Sequence, residues 1–332
     1  MDGEKWLSNA FPGFVVMGQM ISVALCTYNG EKYIRQQLDS ILAQTMPVDE
    51  IVVCDDISKD ATWSILSEYA SRYSQIRLFQ NETNKGCRKN FEQALRKCQG
   101  DYIFFSDQDD IWVSDKVAVM VDYLERTGKC GVFSDGQFID EAGSEMENWS
   151  LFYALNLKEY IQKGYLDKYA LEILCLKGNY VTGAAFAITK SAKEMVLPIT
   201  PSRYVMHDTC MAVKLAACHQ LGYIERPLIS YRIHSSQTLS LDFRLTGQRE
   251  PLFESLESRG DCSELLAMRR YSSIPMHYCH LGRHARKQLF HTYQRLYKEA
   301  LPLAIPARIK YGILFWLNEF YVRFRRQVGY IE

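Results

Sequence analysis

The residues best suited to chemistry are three carboxylates within four positions, Asp107, Asp109 and Asp110, directly after an apolar run at residues 102–106. Like charges this close raise each other's pKa unless a cation holds them together. Carboxylate oxygens suit Mg²⁺ or Mn²⁺, which usually keep coordination positions for substrate phosphates. The string therefore predicts a metal and phosphate site. The simpler alternative is that Asp110 or Ser114 caps the following helix and the other acids are solvated.

A second acidic cluster occupies residues 55–62, after an apolar run and before a helical pattern. A carboxylate at a strand end, such as Asp56, can accept a hydrogen bond from the imide N–H of uracil or thymine. Asp60 can cap the helix that follows. Taken alone, the cluster fits a nucleotide base site and simple helix capping equally well.

The spacing of apolar residues predicts strands that alternate with helices. The strands are expected at residues 21–26, 50–54, 76–79, 102–106 and 131–134. Short strand–helix–strand connections indicate a parallel sheet, in which ligands bind beyond the carboxyl ends of the strands. Polar segments follow the first four strands, at residues 27–30, 55–56, 81–86 and 107–110. These segments are therefore predicted to share one edge of the sheet.

The second half of the chain is less regular. A strand is predicted at residues 178–189, where Gly183 indicates a bulge or the close approach of a ligand. A helix is predicted at residues 208–221, ended by Gly222.

Pro227 interrupts the next apolar segment, residues 223–233. Because proline has no N–H for a strand ladder, this segment is predicted to be at most an edge strand. Residues 241–262 are polar and are predicted to form a loop or lid. Residues 263–332 are predicted to be a helical appendage rich in basic and aromatic residues. Residues 302–332 fit either a helix in a membrane interface or a helix packed on the catalytic domain or on a second subunit.

The bulk composition excludes several classes of protein. The 332 residues carry a formal net charge of zero, so no global field indicates binding to nucleic acid. No apolar run approaches the roughly 18–20 residues of a membrane span. The ten cysteines form no Cys-x-x-Cys pair, which is typical of reduced thiols in the cytoplasm. Residues 1–19 lack a helix or strand period and are interpreted as an extension, with Met17 or Met20 as the natural start.

Residues 21–30, 55–62, 84–86 and 105–112 together resemble glycosyltransferase family 2. The string Ser106-Asp107-Gln108-Asp109-Asp110-Ile111-Trp112 is similar to bacterial polysaccharide rhamnosyltransferases. The resemblance covers residues 20–240 and implies an α/β fold of the GT-A type, with a mostly parallel sheet flanked by helices. It also implies an inverting mechanism and Mn²⁺ or Mg²⁺ as cofactor. Residues 20–135 would bind the nucleotide sugar and residues 136–240 the acceptor.

The resemblance also assigns roles by position. The nucleotide would be bound by Thr27, Tyr28, Asn29, Asp56, Lys85 and Asp107. The metal would be bound directly by Asp109, with Asp107 and His234 as further ligands. Asp208 would be the catalytic base, although an Asp at that place is also a good helix N-cap. The acceptor would contact Gly183, Trp112 and His207, and Tyr231-Arg232-Ile233-His234 would close on the diphosphate.

Two positions depart from the family pattern. The cluster at residues 55–62 has Ile57 where the family usually has glycine, so its turn geometry is expected to differ. Thr209 and Cys210 follow the His-Asp pair where an aromatic residue is usual. The resemblance therefore does not define the acceptor pocket or the sugar.

These features predict an enzyme that adds one sugar, from dTDP-rhamnose, to a growing cell-surface glycan or lipid-linked acceptor. Chain-extending synthases usually carry membrane spans and a Gln-x-x-Arg-Trp element, and this sequence has neither. The alternatives are UDP-glucose or UDP-galactose as donor, or an inactive sugar-nucleotide-binding protein. The predicted location is the cytoplasm, with peripheral contact to the inner face of the bacterial plasma membrane as an added possibility.

Overall fold

The structure is a computed structural model that describes residues 18–155, 157–177, 179–199, 206–235 and 237. The predictions for residues 1–17 and 241–332 lie outside these described residues. Strands are β1 Ile21–Thr27, β2 Glu50–Asp55, β3 Ile76–Gln80, β4 Tyr102–Ser106, β5 Ile111–Trp112, β6 Gly131–Ile139, β7 Glu145–Ser150, β8 Phe186–Thr189 and β9 Leu221–Arg232. Helices are α1 Ile34–Leu42, α2 Thr62–Arg72, α3 Cys87–Lys97, α4 Lys116–Thr127, α5 Leu151–Ala154, α6 Leu157–Gln162, α7 Tyr165–Lys177, α8 Lys190–Val196 and α9 His207–Ala217.

All these strands join one nine-stranded sheet in the order β3-β2-β1-β4-β8-β6-β9-β5, with β7 paired to β6. The first four strands are parallel, as predicted. Every residue of β1, β2 and β4 is buried, because helices cover both faces of this part of the sheet. Beyond β4 the sheet is mixed: β8 runs antiparallel to β4 and β6, while β6 and β9 are parallel.

The prediction of an edge strand around Pro227 was wrong. β9 lies between β6 and β5 and pairs with both. Pro227 is opposite Asp135, where the register between β6 and β9 shifts on both sides of the pair. This irregularity interrupts the ladder where proline lacks an N–H, so the strand continues past it.

Two other predicted boundaries were wrong for tertiary reasons. Residues 178–189 are not one strand, because a 3-10 turn at Gly183–Ala185 precedes β8. Helix α9 ends at Ala217, and Gly222 lies within β9 instead of ending the helix. A Cβ on Gly222 would stand 2.6 Å from the ring of Tyr123, so glycine is needed there for packing. Within the residues that the structure describes, none of the helices is long and apolar enough to cross a membrane.

Candidate active site

A cavity of about 330 Å³ opens at the carboxyl ends of β1, β2 and β4, the edge where the sequence placed its polar segments. The cavity therefore lies at the edge of the sheet where ligands were predicted to bind. Its lining includes Cys26, Thr27, Tyr28, Asp56, Asn84, Gly86, Cys87, Asn90, Phe91, Asp107, Gln108, Asp109, Thr182, Gly183, Met206, His207, Asp208, Tyr231 and Gln237.

Asp56 lines one end of the cavity and is held by the loop after β3. Its Oδ1 accepts hydrogen bonds from the Lys85 backbone N–H at 2.8 Å and from Asn81 Nδ2 at 2.7 Å. Its Oδ2 accepts one from the Gly86 N–H at 2.8 Å. A carboxylate has about four lone-pair sites, so one remains for a further donor. Lys85 contributes its backbone here, while its side chain does not line the cavity and donates instead to Gln93.

Of the three nucleotide contacts predicted at the end of β1, two line the cavity and Asn29 does not. Thr27 and Tyr28 line the cavity, and Tyr28 is exposed. The hydroxyl of Thr27 donates to Asp55 at 2.9 Å. Asn29 does not line the cavity but connects two loops, since its N–H donates to Ser58 Oγ and its Oδ1 accepts from the Lys59 N–H.

The cluster at residues 55–62 is more than a helix cap. Asp60 lies one residue before the N-cap, Ala61, and its carboxylate accepts from the backbone N–H of Thr62, the first residue of α2. Asp55 instead closes its own turn by accepting from the Ser58 N–H, and Asp56 faces the cavity.

Ile57 has a φ of +59°, a left-handed conformation that is unfavourable for a β-branched residue. We predict that Ile57→Gly raises the free energy of unfolding by about 1 kcal/mol, because glycine removes the steric strain while adding some entropy to the unfolded chain. Denaturant titration measures this. Ile57→Ala keeps a Cβ in the left-handed region, so a similar gain from alanine would contradict the strain argument.

The acidic loop, residues 107–110, is crowded with negative charge, and within it Asp110 is buried while residues 107–109 are half-buried. Burial, then the neighbouring Asp109 and Asp208, raise the pKa of Asp107 to about 7. Burial and the same like-charge repulsion raise the pKa of Asp110 well above its usual value. The expected helix cap is absent here, since α4 begins at Lys116 after an N-cap at Asp115 whose side chain makes no capping hydrogen bond. Asp110 instead accepts from the backbone N–H of Arg232.

Asp109 and His234, two of the predicted metal ligands, are in contact, with Oδ2 and Nε2 2.9 Å apart. Within the described residues, no three side chains of His, Cys, Asp or Glu surround one point. A carboxylate and an imidazole nevertheless suit Mn²⁺ or Mg²⁺, which often take only one or two protein ligands plus phosphate oxygens and water. The residues therefore fit such an ion. Asp107 adds a second carboxylate to the wall of the same cavity.

Arg232, which the resemblance places at the diphosphate, does not line the cavity. This arginine is only 1% exposed. Its Nε donates to the carbonyl of Asp109, its Nη1 to the carbonyls of Asp140 and Glu141, and its Nη2 to Gln36. These bonds engage each nitrogen of the guanidinium, so it joins the acidic loop to α1 and the β6–β7 turn.

Lys116 is a buried cation that sequence reasoning missed. Its Nζ donates to the carbonyl of Ala184 at 2.6 Å and lies 3.9 Å from the ring centroid of Trp112. Burial lowers the pKa of Lys116 to about 7, while the nearby Asp110 and Asp107 act to raise it. The sequence could have indicated Lys116 by its position. A cation in the first turn of a helix is disfavoured by the helix dipole, so a lysine there calls for another explanation.

Asp208, His207 and Gly183 come together in the wall of the cavity. Asp208 lies in the first turn of α9, but the N-cap is Met206, so Asp208 is not the cap. Its Oδ2 accepts from the Gly183 N–H at 3.2 Å and its Oδ1 from the Thr209 N–H. A Cβ on Gly183 would stand 2.8 Å from His207 Nε2, so only glycine allows this approach.

His207 is stacked on Phe91, with ring centroids 3.8 Å apart. Burial lowers the pKa of His207, so the neutral imidazole is favoured. Its Nε2 has no hydrogen-bond partner among the described residues, and the Sγ of Cys87 lies 3.9 Å from its Nδ1. Cys87 and Phe91 line the cavity and were not predicted. Trp112, predicted to contact the acceptor, is buried under Lys116 and does not line the cavity.

Comparisons with known proteins agree with this architecture. EpsE of Bacillus subtilis, a putative glycosyltransferase, is 35% identical over 128 residues, which are 38% of this chain and 46% of EpsE. WfaP of Escherichia coli, named UDP-Glc:alpha-D-GlcNAc-diphosphoundecaprenol beta-1,3-glucosyltransferase, is 34% identical over 107 residues, 32% of this chain and 42% of WfaP. The aligned segments span between about a third and a half of the curated relatives' own length.

The fold itself resembles that of a solved structure. Residues 1–349 of TarS from S. aureus, crystallised with UDP-GlcNAc, match with a TM-score of 0.51 and 19% identity. The match covers 66% of this chain and 60% of that one, and shows that the fold is of the GT-A type, as predicted. Residues 22–190, slightly more than half of the chain, match the model of the family "Glycosyl transferase family 2". The chain therefore belongs to glycosyl transferase family 2.

Proposed function

We propose that this protein is an inverting, metal-dependent glycosyltransferase that moves one sugar from a nucleotide donor to a growing glycan or lipid-linked acceptor. The observation that carries the proposal is that a single cavity gathers Asp56, Asp109 and Asp208. These side chains supply a base-recognition group, a metal ligand and a proton acceptor, which are the three parts such a transfer needs.

The donor would lie across the carboxyl ends of β1, β2 and β4. Asp56 is fixed by two backbone N–H groups, and its remaining lone pair can accept the imide N–H of uracil or thymine. Tyr28 is exposed at the cavity rim, where its ring can stack on the base.

The diphosphate would lie beside Asp109 and His234. These two residues would hold Mn²⁺ or Mg²⁺, with Asp107 as a further carboxylate in the same wall. When bound, the ion supplies Lewis-acid stabilisation of the leaving nucleoside diphosphate. Arg232 fixes the backbone of the acidic loop at the carbonyl of Asp109, so the loop keeps its shape without help from the substrate.

Asp208 would take the proton of the acceptor hydroxyl. Its carboxylate is held by the N–H groups of Gly183 and Thr209, which orient it at the cavity wall. One base and one leaving group suffice for a single in-line displacement at the anomeric carbon, and a single displacement inverts its configuration.

The proposal extends to the identity of the donor sugar and of the acceptor. The resemblance to rhamnosyltransferases supports dTDP-rhamnose. The alternative, UDP-glucose with a lipid-linked diphosphate acceptor, is supported by the printed name of WfaP. Peripheral membrane contact through residues 302–332 stays a prediction, and so does the cytoplasmic location.

The proposal is tested by thermal-shift titration of the purified protein with dTDP, UDP and GDP, each with and without Mn²⁺. Ligand at 100 times its dissociation constant stabilises a fold by about 2.7 kcal/mol, which is readily measured. We expect a Mn²⁺-dependent shift with dTDP or UDP and a smaller one with GDP. The preferred nucleotide then selects dTDP-rhamnose or UDP-glucose for turnover assays.

Asp109→Asn is predicted to abolish the Mn²⁺ dependence of that shift, because it removes the carboxylate that pairs with His234. The measurement is the same titration. Asp122→Asn is the matched control, since Asp122 is a partly exposed residue of α4 whose ion pair with Arg126 contributes little. Equal Mn²⁺ dependence in wild type and Asp109→Asn would remove Asp109 as a ligand. No shift with any nucleotide, or binding without single-turnover transfer, would favour the inactive binding protein.

A further inference from the structure

We propose that Lys116 is a positioning residue that couples the acidic loop to the turn that orients Asp208. This inference rests on the activity proposed above. Lys116 is fully buried and does not line the cavity, so it would act through other residues.

The donor side of the coupling is a contact with the segment that follows the acidic loop. Lys116 Nζ lies 3.9 Å from the ring centroid of Trp112, two residues after Asp110, and its charge also acts on Asp110 and Asp107. Asp110 Oδ2 has no hydrogen-bond partner among the described residues, so this carboxylate depends on nearby charge as well as on its bond from the Arg232 N–H. A buried carboxylate without a cation nearby would be strongly unfavourable.

The acceptor side of the coupling is a hydrogen bond to the backbone. Lys116 Nζ donates to the carbonyl of Ala184 at 2.6 Å, in the 3-10 turn Gly183–Ala185. The preceding residue of that turn, Gly183, donates its N–H to Asp208 Oδ2 at 3.2 Å. A shift of the turn would therefore move the donor that orients the catalytic carboxylate.

Stability alone does not account for a lysine at this place. A cation at the start of α4 opposes the helix dipole, and well-packed apolar groups often replace buried ion pairs without loss of stability. The ammonium group has one property that an apolar side chain lacks, because it bonds the Ala184 carbonyl and lies over the Trp112 ring at the same time. It thus links the turn Gly183–Ala185 to β5, the strand that follows the acidic loop.

The test compares Lys116→Met with wild type in three measurements. Turnover is followed as release of nucleoside diphosphate from UDP-glucose or dTDP-rhamnose, with water or a bacterial glycolipid extract as acceptor. Affinity for UDP or dTDP with Mn²⁺ is measured by calorimetry, and amide hydrogen exchange is measured over residues 182–186. We expect kcat to fall roughly 10- to 100-fold, because small misplacements of catalytic groups have effects of this size. Nucleotide affinity should stay within about threefold, and exchange at residues 182–186 should become faster.

Lys214→Met is the matched control, since Lys214 Nζ also donates to backbone carbonyls, those of Val196 and Pro198, away from the turn. If Lys116→Met folds poorly, the double variant Lys116→Met with Asp110→Asn takes its place in the same measurements, because it removes both buried charges. Unchanged kcat, unchanged exchange at residues 182–186, or equal losses of kcat and nucleotide affinity would overturn the coupling. Absence of turnover in wild type would refute the proposed activity instead, while the exchange measurement would still decide whether Lys116 holds the turn.

Discussion

Asp208→Asn is expected to lower kcat by about 1,000-fold while leaving nucleotide affinity within about twofold, because the amide cannot accept the proton of an acceptor hydroxyl. The substitution preserves shape, and the amide oxygen can still accept from the N–H of Gly183 or Thr209. Stability should therefore change little. Turnover is measured as nucleoside diphosphate release from the donor that the thermal-shift titration selects, and affinity is measured by calorimetry with Mn²⁺.

The internal control for this variant is its own donor binding. A loss of both turnover and nucleotide affinity would indicate that the cavity had collapsed. Turnover that survives in the purified Asp208→Asn protein would remove Asp208 as the base. His207 would then be the next group to examine, because its Nε2 lies at the cavity without a partner among the described residues.

The first half of the fold was predictable because its strands are simple to recognise. Buried parallel strands need apolar residues on both faces, so β1, β2 and β4 appear as continuous apolar runs. The polar residues that follow these runs then had to share one edge of the sheet. Asp56, Asp107 and Asp109 do line one cavity there.

The second half was harder because tertiary contacts override local rules. Pro227 predicts a strand break, yet a register shift around its pair with Asp135 accommodates it. Gly222 predicts a helix end, yet it provides space for the ring of Tyr123. Both residues have a local interpretation that is correct in general and fails only because of a neighbour distant in the sequence.

The direction in which a side chain points was also not predictable from the sequence. Residue spacing places Arg232 near the site, but it cannot show that the guanidinium points away from the cavity into the β6–β7 turn. Likewise, nothing in the order of residues shows that Lys116 reaches across to Ala184. Arg232 and Lys116 are thus buried cations that do not line the cavity. Only the three-dimensional structure distinguishes such residues from those that line it.

Arg232→Met is expected to lower the free energy of unfolding by about 2–4 kcal/mol, because four acceptors lose the hydrogen bonds of a buried guanidinium. These are the carbonyls of Asp109, Asp140 and Glu141 and the amide oxygen of Gln36. Methionine has a similar length and adds no polar group. Denaturant titration followed by circular dichroism measures the change.

Arg226→Met is a control on the same strand. Arg226 makes two hydrogen bonds to Asp115, at 2.7 and 2.9 Å, yet its side chain is 50% exposed. Exposed ion pairs contribute about 0–1 kcal/mol, so this variant should unfold almost like wild type. Equal losses from the two arginines would show that burial does not govern the effect. A stable Arg232→Met protein with impaired nucleotide binding would return Arg232 to the diphosphate role that the family resemblance implied.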